Sequence, residues 1–173
     1  MELPGRDRAR IAGGFMTRSI MWRVLGLAVS LVVAAAAAAP AQDNEAILKE
    51  RQATMKQQGK DLGNIKAYLD GKADQAAAVA ASTSLTETTR KIPSLFPPGT
   101  GAASPDGDYR PKPAVWTEPA RFLDAQKTAA AKAEALLAAV KAGNKPDIQT
   151  AFVDLGKNGC GNCHQTFREK LKP

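Results

Sequence analysis

Two cysteines and the chain's only histidine share one five-residue stretch, Cys160-Gly161-Asn162-Cys163-His164. At this spacing each thiol can add across one vinyl group of a haem, and the adjacent imidazole is then delivered to one face of the iron. Two other chemistries use paired cysteines. A structural disulfide or thioredoxin-like pair is open to an exported protein, but the redox motif wants a βαβ context, which this helical sequence lacks. A zinc site wants a fourth ligand, and there is no second histidine to supply one. The motif therefore predicts one covalently attached haem c, with Cys160 and Cys163 as the attachment points and His164 as the proximal iron ligand.

With no second histidine, the distal side of the iron is either open or filled by another group. Met55 is the one methionine after residue 41. It falls on the apolar face of a predicted first helix, so it can point into the same interior as the haem. A thioether is a common sixth ligand and raises the reduction potential, whereas a helical methionine also serves as a flexible filler of core gaps. Arg51, one turn earlier, has a planar fork suited to a haem propionate; the alternative is a solvated charge. Arg168, one turn after His164, would sit by the proximal face and modulate the iron, or be a solvated charge near the chain end. Trp116 and Phe122 read as core packing.

These groups must be positioned by helices. Leu48, Met55, Leu62 and Leu69 recur every seven residues, with Ile47 and Ile65 beside them, which predicts a long helix from Asn44 to about Leu69. Gly71 breaks the pattern. A second helix is predicted from about Ala73 to Lys91, although its Ser/Thr run from Ser82 to Thr89 has poor propensity. Residues 93 to 115 hold six prolines and read as a long crossover loop without a regular element.

A third helix is expected from near Thr117, whose hydroxyl could cap free amides, with Phe122, Ala129, Ala133, Leu136 and Val140 inward and Gly143-Asn144 as its stop. A fourth starts at Pro146-Asp147. It carries Ile148, Phe152, Leu155, Cys163, Phe167 and Leu171 inward to the end of the chain. The fold class expected is all-α: a four-helix bundle with one long crossover loop between helices two and three. Scarce aromatics and abundant alanine suit close helix packing and argue against a β-sandwich. No strand-length alternation is visible.

Residues 1–41 differ from the rest. Arg6, Arg8, Arg10, Arg18 and Arg23 precede an apolar run from Val24 to Ala39, ending in Ala39-Pro40-Ala41. The run is shorter than the ~20 residues a membrane span needs and ends in a small-x-small cleavage pattern, so residues 1–41 read as a cleavable signal peptide. Residues 42–173 are then one exported, periplasmic domain, an oxidising setting in which haem attachment occurs. The whole chain has a formal net charge of +7; without the leader, 19 Lys and Arg face 15 Asp and Glu, a net +4. The basic excess is partly targeting, and no basic stripe interleaved with aromatics points to nucleic acid. Mild positive charge could steer an acidic redox partner.

Taken together, these residues resemble the class II c-type cytochromes, the cytochrome c′ family. The C-terminal Cys160-Gly161-Asn162-Cys163-His164, followed by Phe167 and Arg168, is similar to that family's haem site. Arg51-Gln52-Ala53-Thr54-Met55 looks like its first-helix motif, and Pro113-Ala114-Val115-Trp116-Thr117-Glu118 with Phe122 like the opening of its third helix. The likeness covers residues 44 to 173.

The resemblance implies a four-helix bundle with His164 proximal, Met55 at the distal position and Arg51 by the haem. Family members with a distal methionine ligand look like electron carriers. Others leave the iron five-coordinate and bind gases such as nitric oxide, and members occur as dimers or monomers. The expectation is a periplasmic single-electron carrier with His/Met-ligated iron, not an enzyme. The alternative is a five-coordinate gas binder.

Overall fold

The seven-residue ladder of the first segment is carried by one helix, α1 (Asn44–Leu69), with the boundaries that the periodicity suggests. The computed structural model describes residues 44–103 and 107–171; the expected signal peptide lies outside the described residues. The buried face of α1 is not the apolar ladder alone. It runs Ile47, Leu48, Arg51, Thr54, Gln58, Asp61 and Ile65 at steps of three and four, while Met55, Leu62 and Leu69 flank it half-buried. Asp61, 2% exposed, accepts from the Ser84 hydroxyl and the Gln57 amide, each over 2.8 Å, so a polar group that would otherwise be costly to bury is satisfied.

Gly71 reverses the chain with φ 76°, a left-handed conformation that favours glycine. Asp74 then caps α2 (Gln75–Lys91), accepting from the amide of Ala77. The Ser/Thr run stays helical throughout. Ser82, Thr83, Thr86, Thr88 and Thr89 each donate to the carbonyl four residues back, so their hydroxyls are paired within the helix rather than competing with it.

The crossover is more ordered than its proline content suggests. A single 3₁₀ turn spans Ile92–Leu95, and β1 (Tyr109–Pro111) pairs antiparallel with β2 (Arg168–Lys170) at the chain's C-terminal end. This corrects the sequence reading twice: a short ribbon exists, and the last helix stops at Phe167. Arg168 has extended φ and ψ of −121° and 141°, and Leu171 lies beyond the ribbon. Backbone bonds from Lys112 to Phe167 and from Leu171 to Asp108 brace the pairing. These bonds are long-range, which is why local periodicity missed them.

Next come the short α3 (Ala114–Thr117) and then α4 (Pro119–Ala142). Thr117 does not cap α4. Its hydroxyl donates to Pro113 within α3, and Glu118 holds the cap position without a side-chain bond. At the other end Gly143, φ 80°, stops α4 as expected. Gln75 reaches across from α2 to donate to the carbonyls of Val140 and Lys141 in the last turn.

The fourth bundle helix has three parts: α5 (Lys145–Asp154), a wide π-helical stretch at Leu155–Gly161, and α6 (Asn162–Phe167). The π-helical stretch contains Gly156, Gly159 and Gly161. α1 packs on α2, α2 on α4, and α4 on α5 and the π-helical stretch, giving the expected four-helix bundle.

The core divides into two regions. Ile65, Ala78, Ala81, Leu85, Ala133, Leu136, Val140, Ile148 and Leu155 fill one. Ile92, Val115, Phe122 and Phe167, with Met55, Phe96, Trp116 and Cys163 against them, form the other. Among the described residues no helix is long and apolar enough to cross a membrane.

Candidate functional site

The aromatic half of the core borders a cavity of about 380 Å³. α1 contributes Arg51, Gln52 and Met55; α2 contributes Thr89; α4 contributes Phe122, Gln126 and Ala129. Cys160 comes from the π-helical stretch, Cys163 and His164 from α6, and Tyr109, Arg110 and Arg168 from the ribbon. All six residues singled out from the sequence therefore line one cavity, although Met55 and His164 are 109 positions apart in the chain.

The thiols of Cys160 and Cys163 are unpaired and half-buried. Burial raises both thiol pKa values, and for Cys163 the neighbouring Cys160 adds to the rise. They are therefore neutral at physiological pH. Burial, with a smaller contribution from the Arg168 charge, lowers His164 to about 4, so its imidazole is neutral there, the form that binds a metal. No hydrogen bond among the described residues claims that ring. Nor does any group of three His, Cys, Asp or Glu among them converge to hold a bare metal ion, so the zinc alternative has no geometric support. Two free thiols, a neutral imidazole and a thioether around a largely apolar cavity fit a haem attached by thioether bonds.

Arg51 is not the solvated charge that one reading allowed. It is 7% exposed. Its Nε donates to the Leu95 carbonyl at 2.9 Å, Nη1 to the Thr100 carbonyl at 3.0 Å and Nη2 to the Thr100 hydroxyl at 2.7 Å. The guanidinium also lies 4.1 Å from the centre of the Phe96 ring. Burial lowers its pKa to about 10, which leaves it a cation at neutral pH. Part of its fork thus ties the crossover to α1 while the residue lines the cavity.

Arg168 lies at the rim, exposed, its guanidinium 4.2 Å from the Tyr109 ring centre. Trp116 donates its indole N–H to the Phe96 carbonyl at 3.0 Å. Phe122 stacks edge-on between Phe96 and Phe167, with ring centres 5.2 and 5.3 Å away. Sequence reasoning missed Thr100, Phe96 and Tyr109, which lie in the crossover where no period marks them. It also missed Gln58 and Gln126, polar residues on helix faces that are otherwise apolar.

A four-helix bundle whose last helix carries C-x-x-C-H, opposite a first helix bearing Arg51 and Met55, defines a class II c-type cytochrome with covalently attached haem c. The chain belongs to the cytochrome c′ family: the family model described as Cytochrome C' matches residues 46–168. Cytochrome c-556 of Rhodopseudomonas palustris is 35% identical over 156 residues, covering 87% of this chain and 99% of the relative. A cytochrome c' from the same organism is 31% identical, covering 81% and 92%. Among solved structures, cytochrome c' from Rubrivivax gelatinosus superposes with a TM-score of 0.64 at 28% identity, covering 74% of this chain and 98% of that one.

Proposed function

We propose that this chain is a periplasmic single-electron carrier in which His164 and Met55 hold the haem iron from opposite sides. The observation that carries the reading is that Met55, the one thioether among the cavity-lining residues, shares the cavity with His164 while standing on the helix across from it. When bound, the haem supplies an iron that takes up or gives up one electron. Cys160 and Cys163 would hold it through thioether bonds, and His164 would offer a neutral ring nitrogen to its iron. The aromatic wall of Phe96, Phe122 and Phe167 limits water at the iron. A soft thioether favours the reduced state, and ligands held on packed helices move little when the charge changes. The likeness to cytochrome c-556 supports this reading, and the expected signal peptide supports export.

A second reading rests on a different likeness. A cytochrome c prime variant from Alcaligenes xylosoxidans, solved as a nitric oxide complex, superposes with a TM-score of 0.64 at 28% identity. In that reading Met55 is only a wall of the distal pocket, and a small gas occupies the sixth position. Another solved cytochrome c' is described as undergoing ligand-controlled dimer dissociation, so a dimer that responds to gas belongs with this alternative.

Absorption and spin-resonance spectra of the holo-protein, ferric and ferrous, with and without carbon monoxide, separate the two. The carrier gives a low-spin iron, a sulfur-to-iron charge-transfer band and no carbon monoxide uptake. A high-spin iron that takes up carbon monoxide assigns the gas-binding role instead.

A further inference from the structure

The β1–β2 ribbon does more than close the crossover. Successive residues of a strand point to opposite faces, and directly opposed residues share one. The register pairs Tyr109 with Lys170, Arg110 with Glu169 and Pro111 with Arg168. One face therefore carries Tyr109, Lys170, Pro111 and Arg168, and the other Arg110 and Glu169. Glu169, the ribbon's only carboxylate, is spent on Arg110 on its own face. The face with Arg168 and Lys170 has cations and no acid.

The ribbon stands at the cavity mouth: Tyr109, Pro111 and Arg168 of this face line it, as does Arg110 of the other, and Lys170 is the cross-strand partner of Tyr109. Lys56 of α1 joins them at the rim, and Asp108 is the one carboxylate among the cavity's lining residues. Lys56, Arg168 and Lys170 are exposed and have no carboxylate partner among the described residues. On the bundle's flanks, by contrast, many cations are matched: Lys66 with Asp70, Arg90 with Glu134, Lys91 with Glu50 and Lys132 with Asp154. Of the three unmatched cations, Arg168 is also held in place. Arg168 stacks on Tyr109, and Lys112 braces the ribbon's end by donating to the Gln165 carbonyl at 2.8 Å.

We infer that the ribbon face of Tyr109, Arg168 and Lys170, with Lys56 across the mouth, is the docking surface for the carboxylate-rich face of a protein redox partner. The inference rests on the electron-carrier reading. Electron tunnelling falls steeply with distance, so a partner must meet the chain where the cavity opens, and fixed unmatched charge there both steers the encounter and sets its orientation.

Small reagents of opposite charge test it on the holo-protein. One-electron exchange with hexacyanoferrate(III) slows about tenfold as ionic strength rises from roughly 0.01 to 0.15 M and the Debye length shrinks from about 30 to 8 Å. Exchange with a cationic cobalt(III) complex speeds up instead. Lys170→Glu and Lys56→Glu, on two separate elements, each flatten the salt dependence. Lys141→Glu, exposed near the far end of α4, makes the same charge change and leaves the slope near wild type. Polyglutamate slows the wild-type reaction.

Three results overturn the docking surface while the carrier stands: slopes in the two mouth variants no different from Lys141→Glu; a shifted reduction potential with an unchanged slope, which assigns the cations to the haem propionates; or binding to phosphatidylglycerol vesicles without competition by polyglutamate. No exchange with either reagent removes the carrier reading, and the docking surface with it.

Discussion

Nη2 of Arg51 donates to the hydroxyl of Thr100 over 2.7 Å, and the same hydroxyl donates onward to the Pro97 carbonyl at 2.7 Å. A buried cation on the first helix thereby fixes the turn of the crossover that carries Phe96 to the cavity. The Thr100 side chain is fully buried, and a charged donor that loses its acceptor inside a protein is left with the desolvation penalty. Thr100→Val should therefore destabilise the holo-protein by about 1.5–3 kcal/mol, read as a lower denaturation midpoint. A change under about 0.5 kcal/mol would mean that water replaces the hydroxyl and the tie is dispensable.

Met55→Ala removes the thioether from the cavity. The expected outcome is conversion of a low-spin, carbon-monoxide-inert iron into a five-coordinate one that takes up carbon monoxide, together with a lower reduction potential. An absorption spectrum identical to wild type would reject Met55 as a ligand.

The glycines of the π-helical stretch differ in what surrounds them. A Cβ on Gly159 would stand 2.9 Å from the Leu155 Cδ1 and 3.4 Å from the Cα of Ala129, whereas one on Gly156 would meet nothing within 4 Å. Gly159 thus lets the segment bearing Cys160 approach α4. Gly159→Ala should cost about 1–3 kcal/mol through overpacking and reduce the fraction of chains carrying covalent haem. Gly156→Ala should leave both near wild type. Equal behaviour of the two variants, by unfolding and by pyridine haemochrome yield, would remove any positioning role for Gly159.

Asp154 accepts from Lys132 at 2.5 Å and from Asn158 at 2.7 Å, and these bonds, Lys132 first, hold its carboxyl below the usual range. A lowered folded pKa means that the pair stabilises the protein above the ordinary carboxylate pKa of about 4, and that the contribution disappears as pH falls through the lowered value. Lys132→Ala should move the Asp154 titration upward, followed by carboxyl carbon resonances. An unmoved midpoint would assign the shift to Asn158 instead.

The helical frame was legible because period and punctuation are local. The ladder from Leu48 to Leu69 marks α1 to its last residue, and Gly143 stops α4 where its position suggests. Other features could not be read in the same way. Thr117 looks like a cap but lies inside α3, because Pro119 starts the next helix two residues later. The Ser/Thr run of α2 looks weak by propensity, yet its hydroxyls, except that of Ser84 which donates to Asp61, bond within the helix, and its buried members pack in the bundle. Arg51 was identifiable as a residue of interest but not as a buried one, since its acceptors are carbonyl and hydroxyl groups in a loop 44 and 49 positions away.

By itself the sequence determined the motif: Cys160, Cys163 and His164 stand at the spacing of a haem c attachment site, which depends on nothing beyond five adjacent residues. It also determined four amphipathic helices, since their apolar period is written along the chain. Only the tertiary structure decided that Met55 and His164 share a cavity, that Arg51 holds the crossover, and that the chain's end pairs as a strand to set Arg168 on Tyr109 at the mouth. Each of these joins residues far apart in sequence. Such contacts form only when burial of the whole bundle offsets the entropy of closing the long loops between them.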